Sequence, residues 1–144
     1  MNRCNDRIDI QTCRDQHVAL TYLLDQFNTG GPVGETKTIG LLQRLRTVLV
    51  HHLRLEDDCL YPRLRHSSNL TVRETARTYQ AEMGNVKQAF AELYARWTQR
   101  GAISMHPADY LANWREFELA LRKRMTAEDD DLYIMAEAEF ESKD

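Results

Sequence analysis

The chain has 144 residues, 28% of them charged and 42% hydrophobic, with a formal net charge of −3. That length suits a single domain over residues 1–144 with a core of ordinary extent, and the composition is that of a soluble globular protein. The charge leaves no basic footprint for nucleic acid, no run of about 18 apolar residues offers a membrane span, and the opening Met1-Asn-Arg-Cys-Asn-Asp-Arg7 lacks the apolar centre of a signal peptide.

Glycine and proline are sparse. They mark a loop at Asn28-Thr-Gly-Gly-Pro-Val-Gly34 and, with the break Ser67-Ser-Asn69 after Tyr61-Pro62 and the one flanked by Gly101 and His106-Pro107, divide the chain into four long segments. None of the four alternates as a strand would. The first, about Ile8 to Phe27, sets Ile10, Cys13, His17, Leu20, Leu24 and Phe27 on one helical face. The second, about Thr38 to His66, does the same with Leu42, Leu45, Leu49, His52, Glu56 and Cys59. The third opens on Thr71-Val-Arg-Glu74, a capping-box pattern, and its face is Ala76, Tyr79, Met83, Val86, Phe90, Leu93 and Trp97. The fourth begins at Pro107, suited to a first helical position, with Tyr110, Trp114, Phe117, Leu121, Arg124, Glu128 and Asp131 in line. Steps of three and four are the signature of bundle helices.

Short connections make neighbouring helices antiparallel, so the expected fold is all-α, an up-down-up-down four-helix bundle. Counting from the helix ends puts His17, His52, Met83 and Arg124 on roughly one level, with Glu56 and Glu128 a turn further along. Segments two and four look weakly repeated, His52-Leu-Arg-Leu-Glu-Asp-Asp-Cys-Leu-Tyr61 against Arg124-Met-Thr-Ala-Glu-Asp-Asp-Asp-Leu-Tyr133. Three cysteines cannot all pair, and their spacing fits no zinc or redox motif. The expectation is three reduced thiols in a cytoplasmic protein, Cys13 and Cys59 buried and Cys4 loose.

The apolar stripes are interrupted by His17, by His52 with Glu56, and by Arg124 with Glu128. Polar groups at such positions are costly unless paired or coordinated. The spacing of four projects His52 and Glu56 from one face, where an imidazole and a carboxylate can share an ion. Two imidazoles and two carboxylates suit iron, manganese or zinc by ligand type. Plainer readings stand beside this one. His17 could be a satisfied core histidine, Glu128 with Arg124 a structural salt bridge, and Met83 a filler of core space. His51 is expected at the surface, Glu128 to Asp131 is expected as a solvated face apart from Glu128, and Tyr61 and Tyr133 are expected to close the lower layer of the pocket.

The chain resembles the hemerythrin, or HHE cation-binding, family over nearly its whole length. The resemblance rests on Asp15-Gln-His17-Val-Ala-Leu20, His52-Leu-Arg-Leu-Glu56-Asp-Asp-Cys-Leu-Tyr-Pro62, Ala81-Glu-Met83 and Glu128-Asp-Asp-Asp-Leu-Tyr133. It implies a di-iron site in which histidines of helices one and two hold one metal, those of helices three and four hold the other, and two carboxylates bridge them. His17, His52, Glu56 and Glu128 match that pattern, whereas Met83 and Arg124 stand where the family has histidine. A guanidinium has no free lone pair and stays protonated, so it cannot ligate. It can take the place of the second metal and pair with Glu56 and Glu128. Two versions follow: one iron, or another divalent transition metal, at His17, His52, Glu56 and Glu128, or no metal and a buried ion network. The favoured function is sensory or regulatory. The alternatives are a metal-free interaction protein that binds a transcription or signalling protein, a di-iron oxygen-binding protein, and, ranked lowest, a metal-dependent enzyme.

Overall fold

The computed structural model describes residues 8–28 and 34–142, and every regular element among them is helical. Helix α1 spans Ile10–Gln26, and α2 spans Glu35–Leu55 and runs through a π-helical turn at Glu56–Leu60 into α3, Tyr61–Arg65. Helices α4, Leu70–Met83, and α5, Val86–Trp97, form the third arm. A short α6, Ala102–Met105, leads to α7, Pro107–Ala127, which continues through a second π turn, Glu128–Leu132, into α8, Tyr133–Ser142. α1 packs against α2, α7 and α8; α2 against α5; α3 against α4; α4 against α8; and α5 against α7. This is the antiparallel four-helix bundle that the periodicity predicts. No helix among the described residues is long and apolar enough to cross a membrane.

The ends of the helices follow local chemistry. The Asp9 carboxylate accepts from Gln11 N and Thr12 Oγ1 and starts α1. Pro107 takes the first position of α7, as expected. The third arm starts two residues before the expected capping box, because Asn69 Oδ1 accepts from Thr71 N and Val72 N. At the far end the Glu35 carboxylate accepts the backbone N–H groups of Gly101, Ile103 and Ser104 at 3.0–3.1 Å, tying the start of α2 to the α5–α7 connection. Those bonds to the charged form hold its pKa below the ordinary carboxylate value.

Two apolar layers fill the bundle. One gathers Leu20, Leu24, Leu42, Leu45, Leu49, Phe90, Trp97, Trp114, Phe117 and Leu121. The other gathers Cys13, Leu60, Tyr61, Leu64, Val72, Ala76, Leu132 and Tyr133. The buried charged residues His17, His52, Glu56, Arg124 and Glu128 belong to neither layer.

Three expectations need correction. The third arm is not one helix: it breaks at Gly84-Asn85, where a Cβ on Gly84 would stand 2.3 Å from Gln80 O. Asp131 leaves the apolar stripe in which its spacing aligns it and is exposed, in keeping with the solvated run it belongs to, because the π turn inserts a residue into the helical count and turns Leu132 and Tyr133 inward. The cysteines are not all reduced. Cys13 is free and buried, but Cys59 is disulfide-bonded, while Cys4 lies outside the described residues. Pairing depends on a Cα–Cα separation of about 4.4–6.8 Å, a tertiary quantity that spacing along the chain does not reveal.

Candidate metal centre

Each π turn begins on a core glutamate. In the first, Tyr61 N–H donates to Glu56 O, and in the second, Tyr133 N–H donates to Glu128 O. The wider turn brings a glutamate and the tyrosine five residues after it to the same interior. The two turns then cross-link. Tyr61 Oη donates to Glu128 Oε2 at 2.8 Å, and Tyr133 Oη donates to Glu56 Oε2 at 2.5 Å. The weak repeat between segments two and four is thus a pseudo-twofold arrangement, each tyrosine gripping the other half's carboxylate. The expected role of both tyrosines in closing the pocket is met in this specific form.

On one side of this axis stand two histidines. His17 Nε2 and His52 Nε2 are 3.0 Å apart. His52 Nε2 lies 2.8 Å from Glu56 Oε1, and His17 Nε2 lies 3.2 Å from Glu128 Oε1. One ligand atom from each of the four residues falls within 4.8 Å of all the others, and all four residues are buried. Their outer nitrogens are committed: His17 Nδ1 faces Asp129 Oδ1 at 2.9 Å and His52 Nδ1 faces Gln16 Oε1 at 2.5 Å. A carboxylate and an amide oxygen only accept, so both Nδ1 atoms carry protons, and both Nε2 atoms face inward with lone pairs to offer whenever His17 does not hold a second proton.

On the other side stands Arg124, 1% exposed. Its Nε donates to Glu128 Oε2 at 3.0 Å, and Nη2 donates to Asp57 Oδ1 at 2.7 Å and Glu56 Oε1 at 3.4 Å. Nη1 donates to Met83 O at 3.2 Å. The break after Met83 leaves that carbonyl facing the guanidinium. Met83 itself is buried beside the site, as its register predicts.

Electrostatics follow from this packing. Burial opposes charge on His17, but the adjacent Glu128 carboxylate, helped by Glu56 and Asp129, outweighs it and holds its pKa above the usual 6.5. Burial, then the neighbouring His17, pushes His52 down to about 3. Burial raises Glu56 against the pull of Arg124 and His17, and it raises Glu128, with Glu56 adding to the effect. Arg124 is raised despite burial by Glu128, Glu56 and Asp57, so it is a permanent cation. Burial, with the two glutamates, lifts the Cys13 thiol to about 12, which makes it inert.

The residues fit a transition metal on two counts. Donor atoms about 2.0–2.2 Å from a common ion stand roughly 3 Å apart, as these do. Glu128 Oε1 is also the one buried side-chain oxygen among the described residues without a hydrogen-bond partner, since its approach to His17 lacks hydrogen-bond geometry. The structure brings His17, His52, Glu56 and Glu128, the four candidate ligands of the sequence, together beside Arg124. Sequence reasoning misses Gln16, Asp57 and Asp129, and it reads Asp129 as merely solvated. The repeat held the signal, because Asp57 and Asp129 each follow a core glutamate directly. Compared with curated proteins and with solved structures, the chain matches none. A family model described as the hemerythrin HHE cation-binding domain matches residues 9–136, and with nearly the whole bundle covered, the chain belongs to that family.

Proposed function

We propose that this protein holds one transition-metal ion, iron in the first instance, at His17, His52, Glu56 and Glu128, and that its role is sensory or regulatory. Arg124 takes the place of a second ion. The observation that carries this reading is the inward convergence of four acceptors whose outer partners have already fixed the imidazole protons on Nδ1. Such a pocket needs one positive charge, either a proton on His17 or a metal. A bound ion would supply a Lewis-acidic, redox-active centre. The donors are all 3% exposed or less, so only a very small molecule could be met there. Two-metal chemistry is disfavoured because a guanidinium supplies no lone pair. A second reading, a metal-free bundle that binds another protein, draws on the same Arg124 network, which balances charge without an ion.

Loading the metal-free chain with Fe(II) or Zn(II) under anaerobic conditions decides between them. Saturation near one ion per chain is expected, abolished in His52→Ala. Saturation near two overturns the single-ion reading, and none leaves the metal-free one.

The pKa directions add a second expectation. A group raised on folding stabilises the fold below its ordinary pKa, and that contribution is lost as pH rises through the folded value. His17 has this sign above 6.5, and the raised glutamates share it from lower pH. His52 has the opposite sign, but its contribution is complete above 6.5. The melting temperature of the metal-free chain is therefore expected to fall as pH rises above 6.5. The loaded chain keeps its melting temperature, because the ion replaces the proton. Parallel melts of the two forms across that range check it; a metal-free chain that gains stability contradicts the assignment of the proton to His17.

A further inference from the structure

At the end of the bundle remote from the metal centre lies a cleft of about 550 Å³. It opens between the end of α1, the start of α2, α6 and the first turns of α7. Phe27, Ile103, Tyr110, Leu111 and Trp114 form an apolar, largely aromatic wall, and Arg115 stands at its edge. Phe27 lies ten residues beyond His17, roughly 15 Å along α1. The cleft is therefore separate from the four ligand residues.

Three features mark it as a binding site rather than a packing fault. Its volume lies within the range of about 300–1,000 Å³ typical of small-molecule pockets. The Trp114 indole is 2% exposed, and its Nε1–H has no acceptor among the described residues. The other tryptophan shows the contrast, since Trp97 Nε1 donates to Asn113 Oδ1 at 2.8 Å. Buried donors in folded proteins are nearly always matched, and this nitrogen is itself out of reach of solvent, so a guest atom could meet it only after a neighbouring side chain moves. Phe27, stacked on the indole at 4.0 Å and only half-buried, is the side chain that would move to admit it. Arg115 is exposed and carries no ion pair or hydrogen bond among the described residues, and no acidic side chain lines the cleft. A free cation at the edge of an apolar cavity selects an anion with an apolar body.

We propose that this cleft binds an apolar monocarboxylate, of medium-chain fatty acid type, with its hydrocarbon against Trp114 and Tyr110 and its carboxylate at Arg115. The proposal is independent of the metal reading and stands or falls without it.

Decanoate, titrated into the full chain and followed by the two indole N–H resonances in proton–nitrogen NMR spectra, is the test. The expected result is a saturable shift of the Trp114 resonance below the micelle concentration, larger than that of Trp97. Arg115→Glu is expected to weaken binding about tenfold or more, and Ala108→Trp, which fills the cleft from its exposed rim, to abolish it. Both positions are at the surface, and unchanged melting temperatures will show that both variants fold. Decanol should bind markedly more weakly than decanoate. No saturable shift, equal affinity in Arg115→Glu, or equal binding of decanol would overturn the proposal.

Discussion

Arg124→Met is expected to lower the stability of the metal-free chain by about 3–5 kcal/mol, the usual cost of removing one partner from a buried ion network. The guanidinium is almost wholly enclosed and donates to Glu56, Asp57, Glu128 and the carbonyl of Met83. Methionine matches its length and apolar stem but leaves three carboxylates facing one another in a region of low dielectric. Two controls identify the cause. Arg124→Lys keeps the charge but not the planar fork, so it should recover only part of the loss. Introducing Glu56→Gln and Glu128→Gln removes the charges that Arg124 balances, and in that background Arg124→Met should cost much less. Urea unfolding of the parent and these variants, all stripped of metal, gives the cycle and the lysine control. If Arg124→Met unfolds within about 1 kcal/mol of the parent, the guanidinium is not the counter-ion of the site.

The periodicity of the sequence carries the bundle, its arm order and the level of the site, because burial selects for steps of three and four and antiparallel packing follows from short connections. It carries the inward direction of Arg124 for the same reason: the side chain occupies a stripe position between Leu121 and Glu128. What it does not carry are departures from the regular helix. A π turn adds one residue to the count, and nothing in Glu128-Asp-Asp-Asp-Leu132 announces it before the chain folds, so the stripe that aligns Asp131 with Glu128 gives way to Leu132 and Tyr133, and Asp131 accepts from Tyr79 Oη at the surface. The break at Gly84 is hidden likewise, since an isolated glycine inside a helical pattern is usually tolerated. Gln16, Asp57 and Asp129 lie beside ligand residues on a neighbouring face and become partners only once another helix packs there. Pairwise contacts of that kind are set by tertiary structure, as is the pairing state of Cys59.

Met83→His combined with Arg124→His is expected to raise the metal capacity of the chain from one ion to two. The pseudo-twofold arrangement explains why two changes suffice. Glu56 and Glu128 each present oxygens to both halves, Tyr61 and Tyr133 brace them crosswise, and Asp57 mirrors Asp129, which orients His17. In the second half Asp57 is instead held by Arg124 at 2.7 Å. Removing the guanidinium frees Asp57 to accept from a histidine Nδ1–H, the carboxylate–imidazole support that raises ligand basicity and fixes its tautomer. Both substitutions are needed. A lone Arg124→His leaves a half-site with one imidazole, and a lone Met83→His leaves a fixed positive charge where the ion would sit, so each single variant should still saturate near one. The readout is metal content after anaerobic loading and desalting, together with the melting temperature, since each bound ion adds stability in proportion to its affinity. A double variant that folds, binds its first ion and takes no second would mean that Arg124 does not fill the place of a lost metal, and the network around it would have to be understood as structural alone.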